Sequence, residues 1–176
     1  TVDFSEPLGV AQGSVVSDAD GDRQAALLFP AEAGAAMVMP SGETVPLDEL
    51  HVRVTEYTVG PLGGAAMPAE LPASTAYTYC AEITVDEAQA AGAASVTFDA
   101  PVVEYLENFL NVPVGAAVPV GFYRPEAAAW EAGPNGRVVE VLDEVGGLAA
   151  LDLDGDGAAD GAAALAELGV TDAERA

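Results

Sequence analysis

Across 176 residues the chain carries 29 Asp and Glu against 5 Arg and no Lys, a formal net charge of −24, with one His, one Cys and one Trp. Five scattered arginines cannot line a phosphate backbone or hold an anionic lipid surface, so nucleic-acid binding and electrostatic membrane binding are excluded. One His and one Cys cannot build a zinc site, and without Lys there is no Schiff-base, Walker A or kinase chemistry.

Hydrophobic residues make up 51%, ample for a core, so the acidity does not signal disorder. The length fits one ordinary domain with a small appendage. No run of about 18 apolar residues occurs, so membrane insertion is not expected. The opening residues lack a signal-peptide pattern, and Thr1 reads as the start of a mature or excised segment. The lone Cys80 allows no internal disulfide and leaves the redox compartment open. A carboxylate-rich, Lys-free surface suits salty or calcium-rich surroundings. Richness in Ala and Val, with Ile83 the single Ile, looks like a GC-rich coding bias, which explains Arg over Lys but not the acid excess.

Turn residues are frequent, with 19 Gly and 12 Pro, and short β-type runs lie between them. Gly13 to Val16 predicts a strand ended by the turn Ser17-Asp18-Ala19-Asp20-Gly21-Asp22, and Gln24 to Phe29 a second, stopped by Pro30. Ala36 to Met39 is a third, stopped by Pro40-Ser41-Gly42. His51 to Val59 alternates with period 2, placing Val52, Val54 and Glu56 on the face opposite Arg53, Thr55 and Tyr57. Gly60 to Ala73 reads as a Gly/Pro loop, and Tyr77 to Val85 as a strand that buries Cys80 as a small hydrophobe. Asp86 to Ala91 predicts one or two helical turns closed by Gly92. Ser95 to Phe98, Pro101 to Leu106, Val118 to Tyr123 and Gly136 to Leu142 continue the β pattern, with Trp130 between the last two. Regular spacing of strands and turns predicts a mainly β fold, an antiparallel β-sandwich over residues 1–145.

At Gly146-Gly147 the pattern breaks, and residues 146–176 read as a calcium-binding loop with short helices. Ala162 to Leu168 predicts a helix capped by Gly169, and Thr171-Asp172-Ala173-Glu174 matches a capping box. A helix that starts where the chain stops is expected of a segment cut from a longer polypeptide.

The strongest chemical signal is Asp152-x-Asp154-x-Asp156-Gly157-x-x-Asp160. Carboxylates at alternate positions of a tight loop converge on a point, as a hard cation with six to eight oxygen ligands requires. Gly157 permits the sharp turn, the Ala158 carbonyl supplies a ligand, and Asp160 acts directly or through water. An EF-hand has Glu at its twelfth position, where this chain has Ala163, so the pattern is closer to the loops of dockerins and thrombospondin type 3 repeats. Asp143 and Glu144 are candidates for the missing carboxylate by closeness in sequence. The competing reading is a solvated acidic turn, but four aspartates so close repel one another without a cation. Calcium is therefore the expected cofactor, with a structural role.

Asp18, Asp20 and Asp22 form a weaker echo that reads better as a plain turn than as a second metal site. His51 opens a strand with no nucleophile motif beside it. Tyr123 and Trp130 could offer a sugar-stacking surface, though core at a hairpin end is the better reading. Acidic pairs are too common to single out a glycosidase pair, and no G-x-S-x-G, H-E-x-x-H or phosphate loop occurs.

Leu28-Phe29-Pro30-Ala31, then Leu50 to Thr58, then Phe98 to Val103 together resemble the ZU-five β-sandwich. Pro113-Val114-Gly115, Val118 to Tyr123, Trp130 and Asn135 to Val138 are similar to segments ahead of the repeats in large bacterial RHS/YD-repeat proteins. Leu151 to Arg175 is similar to a loop and helix that recur there. The resemblance spans Gln24 to Arg175 and implies a non-catalytic module of a secreted or surface-displayed protein, with adjacent domains of that protein as partners and a surface glycan or protein as a further one. Some eukaryotic relatives cut themselves at a His-Phe-Ser step. Here His51-Val52-Arg53 stands instead, so self-cleavage does not carry over. The resulting expectation is an extracellular calcium-binding structural or adhesion module. A carbohydrate-binding module is the alternative, and a carboxylate hydrolase the least favoured reading.

Overall fold

The computed structural model describes residues 1–60, 62–71 and 78–176. It is mainly β, with eight small antiparallel sheets of two or three strands among the described residues and short helices near the C-terminus. The chain divides into two compact units: Thr1–Gly64 with Tyr79–Phe109, and Ala65–Thr78 with Leu110–Ala176.

The first unit contains β1 (Val2–Asp3), β2 (Leu8–Gln12), β3 (Val16–Asp18), β4 (Gly21–Arg23), β5 (Ala25–Pro30), β6 (Ala35–Val38), β7 (Thr44–Leu47), β8 (Glu49–Leu50) and β9 (Val52–Glu56). It continues with β10 (Ala81–Val85), helix α1 (Asp86–Ala91), β11 (Ser95–Phe98) and β12 (Val103–Leu106). Its three-stranded sheets run β12-β5-β2 and β11-β6-β7, and β9 pairs with β10. Strand β5 is central because Ala25, Leu27, Leu28 and Phe29 are all buried, which a strand with neighbours on both sides tolerates. Leu27 and Phe29 join Val2, Ala11, Leu50, Val85 and Ala88 in one core. Val52 and Val54 pack against that core while Arg53 and Thr55 face out, as the period-2 reading of β9 requires. Helix α1 ends at Gly92 in the left-handed conformation (φ +67), whose N–H bonds back to the last turn.

The second unit contains β13 (Ala117–Val118), β14 (Gly121–Arg124), β15 (Ala129–Ala132), β16 (Gly136–Arg137), β17 (Glu140–Val145), β18 (Leu148–Asp152), α2 (Ala162–Leu168) and α3 (Asp172–Arg175). Leu151 and Leu153 pack with Leu165 of α2 in a small core of their own. The Thr171–Glu174 capping box forms in both directions, and Gly169 closes α2 with φ +83.

Several sequence expectations change. The predicted strand at Gly13 to Val16 begins instead at Val16 and forms a hairpin, β3 with β4. Strands β1, β2, β7 and β8 were not anticipated, although exposure alternates along β2 and β7; β7 holds Pro46 on a sheet edge, where no ladder donor is needed. Pro119 divides the expected Val118 to Tyr123 strand into β13 and β14. Gly146-Gly147 does not end the β pattern. Both glycines have positive φ (+66 and +82) and turn β17 into β18, with Val145 paired to Leu148. The start of the strand predicted from Tyr77 lies outside the described residues, and β10 begins at Ala81. Cys80 precedes it, partly exposed, with burial pushing its thiol pKa up.

Candidate metal centre

Strand β18 delivers Asp152 to the acidic loop. Its residues Ala150, Leu151 and Asp152 are all buried, and Asp152 is only 1% exposed. A carboxylate so placed needs donors on both oxygens. Oδ1 accepts the N–H of Asp154 at 3.0 Å and of Gly155 at 2.7 Å, and Oδ2 accepts the N–H of Gly157 at 2.8 Å. Removal from solvent pushes the Asp152 pKa up, but the backbone donors of Gly155, Gly157, Asp154 and Asp156 outweigh it and hold the carboxyl below its ordinary value.

The same device repeats along the loop. Asp154 accepts the N–H of Asp156 at 3.1 Å, and Asp156 accepts the N–H of Ala158 at 2.8 Å. Gly155 (φ +84) and Gly157 (φ +80) supply the left-handed steps between them. Side-chain oxygens of Asp152, Asp154 and Asp156 thereby come within 4.8 Å of one another. Oxygens sharing a calcium at 2.3–2.6 Å lie at most about 5 Å apart, so the three fit one coordination shell.

Asp160 stands outside that group of three. Its Oδ2 accepts the Leu153 N–H at 2.8 Å, and its own N–H donates to the Leu151 carbonyl at 2.7 Å, closing the loop onto β18. Ala158 is exposed and donates its N–H within the loop. Asp143 and Glu144 are carried along β17 to positions opposite Ala150 and Ala149, away from the loop. The acidic residue that the ladder sets opposite Asp152 is Glu140. A register shift between Val141 and Asp143 puts it there: counted from the Gly-Gly turn alone, Val141 would face Asp152, so no sequence signal pointed to Glu140.

The loop is locked to its surroundings by close backbone packing. A Cβ on Gly115 would lie 2.7 Å from the Asp154 carbonyl oxygen, and one on Gly155 would lie 2.8 Å from that of Val114. Arg137 donates to the Leu153 carbonyl at 3.3 Å. Gly115 also has φ +82, so Gly115→Ala meets both a clash and a strained backbone. It is expected to destabilise the chain by about 2 kcal/mol, read as a lower urea midpoint at unchanged slope.

The other sequence candidates are placed differently. Asp18 is taken up by Arg23, whose Nη1 and Nη2 bond its two oxygens at 3.0 and 2.8 Å. This guanidinium holds the Asp18 pKa down to about 2. Asp20 donates its N–H to Asp18, and Asp22 sits on β4, so the three acids frame a hairpin turn and do not converge. Tyr123 and Trp130 face each other across β14 and β15 with centroids 5.7 Å apart and planes tilted by 59°. Both are half-buried, and the indole N–H donates to the Ala69 carbonyl at 3.2 Å. Two tilted rings form a hairpin clasp rather than a flat stacking platform. His51 is exposed, with Nδ1 2.5 Å from Glu87 at the start of α1.

What sequence reading missed is Arg23 itself. It is 3% exposed and also contacts Glu56 through Nε at 2.8 Å and Nη2 at 2.7 Å, while its guanidinium lies 4.6 Å from the Phe109 ring centroid.

No protein-family model matches the chain, no curated protein matches it, and no solved structure matches it. No helix among the described residues is long and apolar enough to cross a membrane.

Proposed function

We propose that this chain is a non-catalytic, calcium-binding structural module of a large secreted or cell-surface protein. In this reading the strands form a ZU-five-like β-sandwich of the kind found ahead of RHS/YD repeats, with neighbouring domains of the same protein as its partners. The observation that carries it is the convergence of Asp152, Asp154 and Asp156 within 4.8 Å on a loop already bent by Gly155 and Gly157. Three carboxylates in that space repel one another, and a divalent cation turns the repulsion into attraction. Main-chain carbonyls of the loop and water complete a shell of six or more oxygens. The net charge of −24 fits surroundings rich in calcium, where dispersed carboxylates keep the surface hydrated.

Calcium titrated into the chelator-treated chain by calorimetry is expected to show about one strong site. Asp154→Ala is expected to abolish that site while leaving the circular dichroism spectrum unchanged. Absence of binding heat at millimolar calcium, or full binding by Asp154→Ala, would remove the calcium reading.

A further inference from the structure

A groove lies against the core of the first unit. About 530 Å³ in volume, it runs between β10, α1, β11 and β12, with buried Leu27 and Phe29 among its lining residues. Ile83 and Phe98 also line it and stay 48% and 37% exposed, an apolar surface that gains by being covered. Strand β10 is a sheet edge, with β9 its one neighbour among the described residues. It therefore presents a backbone edge beside the groove. Glu104 is the one charged residue in the lining, and it has no hydrogen-bond or ion-pair partner among the described residues. Its surface reaches solvent along the groove, yet the protein crowded around its carboxyl pushes its pKa up.

We propose that this groove accepts an extended peptide segment that pairs with the edge of β10, sets apolar side chains over Ile83 and Phe98, and places a Lys or Arg against Glu104. A strand edge beside an apolar trough is what strand addition uses: main-chain bonds supply affinity and alternate side chains supply specificity. A second copy of this chain does not meet the requirement. Arg23, Arg53, Arg124 and Arg175 are held in ion pairs, Arg137 is bonded to the Leu153 carbonyl, and there is no Lys. Two copies at −24 each also repel. The occupant is thus a basic, apolar strand of another chain or domain.

The test uses the whole chain and the capped peptide Thr-Ile-Thr-Lys-Thr-Ile-Thr, whose Ile and Lys side chains share one face. Calorimetry is expected to show binding, and hydrogen exchange is expected to slow in residues 81–85. Glu104→Gln should weaken the peptide about fivefold and leave the norleucine-for-lysine peptide within about twofold. Ile83→Asp, at an exposed rim position, should abolish binding with an unchanged melting curve. Three results would each overturn the proposal: no binding at millimolar peptide, protection confined to other strands, or equal affinity for a peptide with Glu in place of Lys. Equal binding of n-hexylamine would instead make the groove a small-amine site and equally overturn strand addition.

Discussion

Arg23→Met unfolds the chain at markedly lower urea than the parent, by about 3 kcal/mol. The guanidinium is buried and joins Asp18 of β3 to Glu56 of β9, with side-chain exposures of 34% and 5% for the two acids. Thr58 also donates its hydroxyl to Glu56. Removing the cation leaves the Glu56 carboxylate enclosed with that hydroxyl as its side-chain donor among the described residues, and breaking a buried pair from one side costs about 3–5 kcal/mol. The lower part of the range applies because Asp18 reaches water and can rehydrate. Arg23→Lys recovers only part of the loss, since one ammonium cannot reproduce the fork that bonds Asp18 through two nitrogens and Glu56 through Nε. The pH dependence follows from Asp18. Its folded pKa of about 2 lies below the ordinary value of 3.8, so its contribution is complete above pH 4 and is lost as pH falls from 4 through 2. In Arg23→Met this acid-labile component disappears, and the stability difference from the parent narrows below pH 4. A flat difference across that range would show that the guanidinium acts by packing on Phe109 rather than by charge.

Arg23 also shows what a linear reading can and cannot recover. Asp18-x-Asp20-Gly21-Asp22 has the composition of a cation loop, and sequence alone offers no reason to assign the first carboxylate to an arginine five residues on. The β3–β4 register, which sets Asp18 opposite Gly21 and Val16 opposite Arg23, makes that assignment. Features closed within a few residues were legible: the Gly92 and Gly169 caps, the Thr171–Glu174 box, and the Asp152 loop with its two glycines. The alternation of β9 was legible because one face meets the core and the other meets water. Pairings such as β5 with β2 and β12 were not, because Leu28 meets Val10 on one side and Val103 on the other. No local pattern encodes which edge finds which partner. The Gly146-Gly147 pair was misread for a different reason. Two glycines weaken a strand but are also the residues a tight hairpin turn demands, and the choice depends on Leu148 to Asp152 finding β17.

The acidic loop divides into two kinds of aspartate, and their asparagine and alanine variants are expected to separate. Asp152 is a structural anchor first: its two oxygens satisfy three backbone N–H groups from Asp154, Gly155 and Gly157. Asp152→Ala orphans those donors, each at about 1–3 kcal/mol where water cannot replace the acceptor. It should therefore lower the melting temperature in chelator as well as in calcium. Asp154 and Asp156 are exposed and bond only one loop N–H each. Asn at either position keeps an oxygen for that N–H and removes one charge from the cluster. In chelator, Asp154→Asn and Asp156→Asn should melt at or slightly above the parent, because the repulsion they relieve is unscreened by a cation. In calcium at about a hundred times its dissociation constant, the parent should gain about 2.7 kcal/mol, on the order of 8 °C, and the two variants should gain much less. The gain belongs with Leu151, Leu153 and Leu165, whose packing joins β18 to α2 on either side of the loop. Slower hydrogen exchange on adding calcium is accordingly expected in residues 148–170. If Asp154→Asn instead loses stability in chelator as much as Asp152→Ala does, the loop is held by all its carboxylates alike and the division between anchor and ligand fails.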